Sequence, residues 1–396
     1  MTSVERFISY AKIETTAGNG SDKEVSNNKI LDLTDLLLNQ LQQLKPDKIS
    51  VNNFGIINAK FYGNDKKDMI AFLAHMDTSP QASGKNVKPQ LIKKYDGKDI
   101  KLNENLTLSV KEFPHLKNAV GHDILTTDGN TLLGADDKAG ITIIMESLIN
   151  VLKDKHHRSL EIIFTTDEEI GLDAHHVSLN DIESKYGYTI DGGDYKDLEC
   201  ESFNAYSMQV KVIGKSIHPG SAKDKLVNAS TVLTNFHNSL PLYLRPEETE
   251  KKQPFYHLCQ INGTEEKATA EYIIRSFDTY EIEKMIELAK FTAKRMNEHL
   301  NYEAISLDIR SQYKNMKVIL DKNPDILKEV ESIYKKHKID YTYSPIRGGT
   351  TGSQLSFMNL PCPNLGTGGY NYHGRYEYLD LFEMDKMIEI VTDLMK

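Results

Sequence analysis

The amino-acid sequence predicts an α/β protein whose mainly parallel sheet, flanked by helices, is interrupted by an inserted second domain. The chain has 396 residues, which is longer than one simple core normally needs. Short apolar runs alternate with segments of helical periodicity, and several of these runs end at an acidic or histidine residue. A middle segment instead alternates polar and apolar residues, as half-buried strands do.

The N-terminal elements follow from the spacing of apolar residues. Residues 4–13 and 28–44 carry them at helical intervals, so each segment predicts a helix. Residues 69–74, with the sequence MIAFLA, predict a short buried strand. This strand stops abruptly at His75 and Asp77, so polar side chains follow its carboxyl end.

The next elements repeat this arrangement. Residues 139–152 predict a buried helix, and residues 160–164 predict a strand that the sequence TTDEEIG follows at once. YGYTI then leads into Asp191, and a strand-like piece lies just before His373. The loops at the carboxyl ends of parallel strands form the crevice of an open sheet. Six distant side chains are therefore expected to converge there: His75, Asp77, Glu168, Glu169, Asp191 and His373.

The middle segment has its own pattern of elements. It predicts four strands and two helices in the order β-α-β-β-α-β, a compact two-layer motif, at residues 206–213, 225–240, 255–261, 269–277, 280–299 and 303–312. We predict that residues 205–313 form the inserted domain. Residues 1–204 and 314–396 would form the discontinuous first domain, which resumes with a helix at 324–337.

Composition excludes several classes of partner. The net charge is -9 and no basic block stands out, which argues against a nucleic-acid groove or an anionic membrane surface. No apolar run approaches the length of a membrane span, and the N-terminus lacks the pattern of a secretory signal. The three cysteines are too few and too scattered for a disulfide framework. We therefore expect a cytoplasmic protein without nucleic-acid or membrane partners.

Two short motifs have both an ordinary and a chemical interpretation. His75-x-Asp77 is an ordinary polar turn, or a metal ligand beside a carboxylate that binds the metal or orients the imidazole. The sequence GADDKAG precedes a helix, where paired carboxylates commonly act as caps. In the chemical interpretation, one carboxylate caps the helix while Asp136 bridges two metal ions.

The run Asp167-Glu168-Glu169 is the third motif. Three adjacent carboxylates repel one another and usually lie in solvent. Beside a cation, one Glu can bind the metal while its neighbour takes a proton from the activated water. With two histidines and the other carboxylates, the set supplies ligands for two zinc ions. The pairs His156-His157 and His175-His176 are interpreted as surface residues.

Taken together, these motifs resemble those of the M20 metallopeptidase family, and within it those of the aminotripeptidases. The resemblance covers essentially the whole chain and is carried by AHMDTSP, LLGADDKAGI, TTDEEIG, TIDGG, FNAYS, IHPGSAK, EYIIRSFD and PIRGGTTGSQLSFMNLPCPNLGTGGYNYHGRYEYL. It implies a zinc-binding α/β domain with an inserted lid that carries a homodimer contact. It also implies release of the N-terminal residue from short peptides, mainly tripeptides, with two Zn2+ per subunit.

The resemblance also implies the role of each site residue. His75 and Asp191 would bind the first zinc, Glu169 and His373 the second, and Asp136 would bridge both. A cis peptide would join Asp136 to Asp137. Glu168 would be the general base, Asp77 would orient His75, and His218 in the lid would stabilise the oxyanion, often across the dimer. Three residues would contact substrate: Arg275, Asn262 and Arg347.

The chain departs from the family pattern at three places near the site. The loop 194–197, which follows Gly192 and Gly193, is more charged than usual. Thr351 stands in GGTTG where GGTDG is expected, so a local carboxylate is missing. After DEEIG the chain reads LDAHH, without the usual Gly-Ala pair. These changes bear on substrate preference more than on catalysis, because all proposed zinc ligands are present.

Other functions share part of this pattern. A dipeptidase, a carboxypeptidase or an N-acyl-amino-acid deacylase of the same family would use the same zinc ligands. The segments YIIRSFD and GGYNYHGRYEY favour the tripeptidase. A two-metal phosphoesterase would need more cationic residues and no free Glu beside a ligand. A non-catalytic peptide-binding homologue would have lost ligands, and none is missing.

Overall fold

A computed structural model describes residues 1–20, 23–154 and 156–396. The α-helices over these residues are α1 (Ser3–Ala11), α2 (Ile30–Gln43), α3 (Ala135–Val151), α4 (Asp173–His176), α5 (Ala229–Ser239), α6 (Thr279–Leu300), α7 (Lys317–Leu320), α8 (Pro324–Lys336), α9 (Thr351–Phe357) and α10 (Leu381–Leu394). The strands are β1 (Lys48–Val51), β2 (Ile57–Phe61), β3 (Ile70–His75), β4 (Gln90–Ile92), β5 (Ile100–Lys101), β6 (Thr107–Leu108), β7 (Ile124–Thr126), β8 (Leu160–Thr165), β9 (Tyr186–Gly192), β10 (Asp197–Ser202), β11 (Asn204–Ile213), β12 (Phe255–Gly263), β13 (Lys267–Ser276), β14 (Ile305–Tyr313), β15 (Thr342–Ile346), β16 (Asn364–Gly366), β17 (Gly369–Tyr370) and β18 (Tyr378–Asp380).

The first compact unit is built on an eight-stranded sheet. This unit comprises Met1–Cys200, Met316–Ser344 and Thr350–Lys396. The strand order is β1-β2-β8-β3-β9-β16-β10-β15. The four central strands β8, β3, β9 and β16 are parallel, and antiparallel strands flank them. The predicted α/β class with a mainly parallel central sheet is confirmed.

The central strands are buried on both faces, which explains their uninterrupted apolar sequences. Every residue of β3 and of β8 is buried. Helix α3 packs against β3 and β9, and also contacts α1 and α10. Residues of α9 and of the segment after it contribute to a smaller apolar cluster that includes Leu73 and Ile163. The sheet is therefore rigid at its centre, where the candidate site begins.

The chain order of the parallel strands brings distant residues to one edge of the sheet. His75 is the last residue of β3, and Asp191 lies one residue before the end of β9. Strand β8 ends at Thr165, just before Glu168 and Glu169. Because neighbouring parallel strands end at the same edge, these side chains meet although more than a hundred residues separate some of them.

The second compact unit comprises Glu201–Asn315 and Pro345–Gly349. Its antiparallel sheet has the order β12-β13-β11-β14. Helices α5 and α6 share an apolar cluster with this sheet. The element order along the chain is strand, helix, strand, strand, helix, strand, as the sequence predicts. The assignment of residues 205–313 as a lid stays a prediction.

Local details differ from the sequence-based expectation. Helix α5 begins at Ala229 rather than near residue 225, because the Asn228 side chain accepts a hydrogen bond from Thr231 N and caps it. His176 is not a surface residue, since it is buried and stacks on Phe54 with ring centroids 3.7 Å apart. Among the described residues, no helix is both long and apolar enough to cross a membrane.

Candidate metal centre and active site

The five predicted metal ligands lie together at the carboxyl edge of the central sheet. They form two groups that share one carboxylate: His75, Asp136 and Asp191, and Asp136, Glu169 and His373. Within each group the potential ligand atoms lie within 4.8 Å of one another. Asp136 Oδ1 is 2.8 Å from His75 Nε2, and its Oδ2 is 3.1 Å from His373 Nε2. Each oxygen of Asp136 thus faces a different group, as a bridging carboxylate requires.

The donor set suits two divalent cations. Imidazole nitrogen and carboxylate oxygen are the ligands that zinc and similar metals prefer in sites without thiolates. Glu169 Oε2 lies 3.0 Å from His373 Nε2. The other oxygen, Glu169 Oε1, is buried and has no hydrogen-bond partner within the described chain. A metal ion in the second group would satisfy that oxygen, so the residues fit the metal centre that the resemblance implies.

The same residues have strongly shifted pKa values. Burial disfavours the charged His75, but Asp191 and Asp136 outweigh it and raise its pKa well above the usual value. Hydrogen bonds to Asp136 and Glu169 raise the pKa of His373 to about 10. Burial raises the pKa of Asp191 to about 7. Divalent cations bound here would therefore compete with protons for the two imidazoles and for Asp191.

Asp77 contacts His75 and also positions the turn that carries Glu168 and Glu169. Its carboxylate accepts hydrogen bonds from Glu168 N and Glu169 N, each 3.1 Å long. His75 Nδ1 is 2.9 Å from the Asp77 main-chain oxygen but 3.6 Å from Oδ1. The orienting contact with His75 is therefore made chiefly by the Asp77 carbonyl. With Nδ1 donating to that carbonyl, Nε2 is left for a metal.

Glu168 belongs to neither ligand group. Its Oε2 lies 4.0 Å from His75 Nε2, and its side chain is 16% exposed. Burial raises the pKa of Glu168 well above its usual value, and the negative charges of Asp191 and Asp173 add to this effect. A free carboxylate with a raised pKa beside a metal centre is typical of a general base.

The GADDKAG motif divides its two carboxylates between two tasks. The Asp136–Asp137 peptide is cis. Asp136 faces the ligand groups, whereas the Asp137 carboxylate accepts hydrogen bonds from His75 N at 3.2 Å and Gly140 N at 3.1 Å. A side chain at Gly140 would place its Cβ 1.9 Å from the Ile190 carbonyl oxygen, so only glycine fits. Asp137 therefore caps the helix and supports β3.

Thr351 and Asp173, which lie at two of the departures from the family pattern, contact each other. The Thr351 hydroxyl donates a hydrogen bond to Asp173 Oδ2, and both side chains are buried. Asp173 Oδ1 has no hydrogen-bond partner among the described residues. Burial raises the pKa of Asp173 to about 6. Position 351 thus lacks the expected carboxylate, but the Asp173 carboxylate lies against it.

Two supporting residues were missed by the sequence analysis. Asn364 Oδ1 accepts a hydrogen bond from Asp191 N at 3.1 Å, and its Nδ2 donates to Glu199 at 2.6 Å. Glu377 accepts hydrogen bonds from the segment that carries Asp136. The only signal for Glu377 in one sequence is its position four residues after His373, and nothing in the sequence singles out Asn364.

The remaining predicted residues lie in the second unit: His218, Asn262, Arg275 and Arg347. His218 is exposed, and its Nδ1 accepts a hydrogen bond from Gly220 N at 3.1 Å. The Arg275 guanidinium donates to the Tyr206 carbonyl at 3.2 Å and lies 5.4 Å from the Tyr313 ring. The Arg347 guanidinium donates to the Lys251 carbonyl. The predicted roles of these four residues stay predictions.

Comparisons with known proteins agree on one family. Residues 127–396 match the family described as Peptidase family M20/M25/M40. The chain is 40% identical to "Peptidase T" of Geobacillus sp. (strain WCH70) over 399 residues, covering 99% of this chain and 97% of the relative. It is 41% identical to "Peptidase T" of Bacillus velezensis over 397 residues, with the same coverage of both chains.

Solved structures resemble the whole chain at low sequence identity. Aminopeptidase PepT from Bacillus cereus has a TM-score of 0.78 at 20% identity, covering 99% of this chain and 97% of its own. A tripeptidase from Staphylococcus aureus has a TM-score of 0.80 at 19% identity, covering 100% and 97%. A dinuclear metal-binding peptidase of family M20 from Bacillus subtilis has a TM-score of 0.64 at 12% identity, covering 99% and 97%. At these identities the likeness concerns the fold.

Proposed function

Because this chain belongs to peptidase family M20/M25/M40, we propose that it is a metal-dependent aminopeptidase that releases the N-terminal residue of tripeptides. The observation that carries this function is the shared Asp136 between two ligand groups, with Glu168 free beside them. The relatives named Peptidase T, which span nearly the whole chain, support the aminopeptidase over other hydrolases of the family. The solved tripeptidase supports tripeptides as substrates.

Two zinc ions are the proposed cofactors. His75 and Asp191 would hold one, Glu169 and His373 the other, and Asp136 both. When bound, two such ions lower the pKa of water and polarise the scissile carbonyl. The nitrogen and oxygen donors favour zinc, and cobalt or manganese would fit the same set.

Proton transfer is assigned to Glu168. Its carboxylate takes a proton from the attacking water and returns it to the leaving amine. The hydrogen bonds from Glu168 N and Glu169 N to Asp77 fix the turn, so the base and the neighbouring ligand keep a constant separation. This division between a free and a bound glutamate is what metal-assisted peptide hydrolysis requires.

The second unit is the proposed lid and dimer contact. His218 would stabilise the oxygen of the scissile carbonyl as negative charge develops on it. Arginine binds carboxylates through bidentate hydrogen bonds, so Arg275 or Arg347 would bind the C-terminal carboxylate of a short peptide. Asn262 would be a further contact with the substrate. A cytoplasmic location is proposed from the cysteines, since Cys200, Cys259 and Cys362 are all free thiols.

A substrate panel tests the proposed function. Zinc-loaded protein would be assayed on matched dipeptides, tripeptides, tetrapeptides and N-acyl amino acids, with release of each product followed by chromatography. We expect the highest kcat/KM for tripeptides and loss of cleavage when the N-terminal amine is acetylated. Preferential hydrolysis of N-acyl amino acids would replace this function with that of a deacylase.

The Glu168→Gln variant is the matched control for that panel. It should lose at least about 100-fold in kcat because the base is removed, while two metal ions remain bound. Glu169→Gln should instead lose metal, because it removes a proposed ligand. Equal activity of Glu168→Gln and the unmodified protein would reject the base assignment or reveal a contaminating peptidase.

A further inference from the structure

Glu377 is a buried carboxylate whose hydrogen bonds all go to one main-chain segment. Its side chain is 1% exposed. Glu377 Oε2 accepts hydrogen bonds from Leu133 N at 2.6 Å and Gly134 N at 2.8 Å. Oε1 accepts a third from Asp136 N at 3.1 Å. One side chain thus holds the segment that delivers the shared carboxylate of the metal centre.

The main-chain donors of Leu133, Gly134 and Asp136 depend on a distant side chain. Their segment leads into α3, and the first N–H groups of a helix have no partner within the helix. Gly134 has a φ of 81° and no side chain that could act as a cap. The donors are instead satisfied by a residue more than 240 positions away in the sequence. A carboxylate also suits this place because a helix N-terminus attracts negative charge.

Glu377 also belongs to the segment that carries His373. Glu377 follows His373 by four positions, and His373 Nε2 lies 3.1 Å from Asp136 Oδ2. The two segments that must meet around the second metal are therefore joined twice, once by the ligands and once by Glu377. Hydrogen bonds to a carboxylate are stronger than those to a neutral acceptor, so the join is stiff.

We propose that Glu377 is a positioning residue that fixes the Asp136 segment and thereby sets how Asp136 is shared between two metal ions. This inference rests on the proposed metal centre but not on the substrate. A bridging carboxylate must present both oxygens at defined positions, so a small shift of its main chain weakens both metal contacts. Residues that orient metal ligands in this way typically change metal affinity by about 10- to 100-fold when replaced.

The substitution Glu377→Gln tests the proposal with little change of shape. An amide has one oxygen and one NH2 group, so it cannot accept from both sides of the segment. The amide NH2 group would then face either Asp136 N or the pair Leu133 N and Gly134 N, and those N–H groups would lose their acceptor. We expect the apparent zinc affinity of the metal-free protein, measured by competition with a chromophoric chelator, to fall about 10- to 100-fold. We also expect kcat to fall while KM for a tripeptide changes less.

Glu383→Gln is the matched control. Glu383 is also a buried glutamate, 3% exposed, but it accepts hydrogen bonds from Tyr370 Oη and Tyr195 N and none from the segment that carries Asp136. Its zinc affinity should equal that of the unmodified protein. A Co2+-loaded sample gives a second readout, because visible absorption reports the geometry around the metal and should change only in Glu377→Gln.

Several results would overturn the proposal. Unchanged zinc affinity and unchanged cobalt absorption in Glu377→Gln would assign Glu377 a merely structural role. If Glu377→Gln does not fold, Glu377→Asp keeps the charge and should show a smaller loss of zinc affinity. Failure of both variants to fold, while Glu383→Gln folds, would also reject it. The zinc titration decides this question even if the protein cleaves no tripeptide, so the two proposals fail separately.

Discussion

At the scale of single residues, what a side chain does depends on the atom that makes the contact. Asp77 illustrates this, because its carbonyl meets His75 while its carboxylate holds the turn of Glu168 and Glu169. Thr351 is a second case, since its hydroxyl meets the buried Asp173 instead of supplying a carboxylate itself. The identity of a residue suggests which residue it contacts, but not which of its atoms makes the hydrogen bond.

The Thr351–Asp173 contact leads to a stability prediction. Thr351→Val removes the hydroxyl that donates to Asp173 Oδ2, and Oδ1 already lacks a partner among the described residues. We expect the free energy of unfolding to fall by about 1–3 kcal/mol, because an unsatisfied buried acceptor retains its desolvation penalty. Urea denaturation of the metal-free protein measures this change.

The control and the pH dependence sharpen this test. Thr392→Val removes a hydroxyl that donates only to Ile388 O within its own helix, so its effect should be smaller. The raised pKa of Asp173, about 6, means that its stabilising contribution is present below pH 4 and is lost as the pH rises through 6. The loss caused by Thr351→Val should therefore be larger at pH 8 than at pH 5. Equal losses at both values would contradict the assignment.

At the scale of elements, a buried cation is one of the groups that hold helix α8 to the sheet. The Arg158 side chain is 1% exposed and donates to Glu329 Oε1 at 2.7 Å. It also donates to the Asp68 carbonyl at 2.6 Å and to Tyr186 Oη at 2.9 Å. Arg158 precedes β8 by two residues, Tyr186 begins β9 and Glu329 lies on α8, so three elements meet at this group.

Breaking this network should destabilise the first unit. Arg158→Ala leaves Glu329 Oε1 and the Asp68 carbonyl without the donor that Arg158 supplies, while Tyr186 Oη still donates to Glu329 Oε2 at 2.6 Å. The loss of one partner of a buried pair typically destabilises by about 3–5 kcal/mol. Because Glu329 is itself 25% exposed, we expect a value near the lower end, about 3 kcal/mol. Metal affinity should change little, because the network lies at the opposite ends of the strands from the ligand groups.

The exposed pair on the same helix provides the comparison. Lys328 Nζ lies 2.8 Å from Asp325 Oδ1, and both side chains are largely exposed. Lys328→Ala should change the free energy of unfolding much less than Arg158→Ala does, because solvent screens exposed pairs. Similar urea midpoints for the Lys328 and Arg158 variants would show that burial does not determine the contribution of Arg158.

At the scale of the whole molecule, the metal centre couples distant segments to one another. Its five proposed ligands come from segments that begin at residue 75 and end at residue 373. Without cations, burial raises the pKa values of Glu169 and Asp191, so the ionised carboxylates oppose folding. Bound cations would remove that opposition and join the segments. Stability and metal occupancy should therefore change together.

Metal removal tests this coupling. Dialysis against a chelator should lower the Tm, and added Zn2+ should restore it. A ligand at 1,000 times its Kd stabilises by about 4 kcal/mol. The difference between loaded and metal-free protein should shrink as the pH falls below 7, because protons compete for Asp191 and for the imidazoles. Calorimetry at pH 6 and pH 8 measures both effects.

The second unit supplies a control for metal removal. His218 lies outside both ligand groups, so His218→Ala should show the same zinc-dependent rise in Tm as the unmodified protein. Its kcat should nevertheless fall if it stabilises the developing charge. A Tm that does not respond to chelation in any variant would contradict the proposed metal centre.

Much of the fold could be predicted because its signals are local. The buried strands β3 and β8 follow from apolar runs, and the six elements of the second unit follow from periodicity. The position of His75, Glu169 and Asp191 after strands also follows, since parallel strands end at one edge. The small sheet β17-β18-β7-β4 was not predicted, because its two- and three-residue strands are too short to show a period.

The sequence by itself determined the class of the fold and the family, and it supplied the candidate residues for binding two cations. Only the tertiary structure decided which atoms meet, namely that the Asp77 carbonyl faces His75, that Thr351 meets Asp173 and that Glu377 holds the segment of Asp136. The physical reason is range. Periodicity and motif spacing report on neighbours a few residues apart, whereas these hydrogen bonds join main chain and side chains that come together only when the sheet has formed.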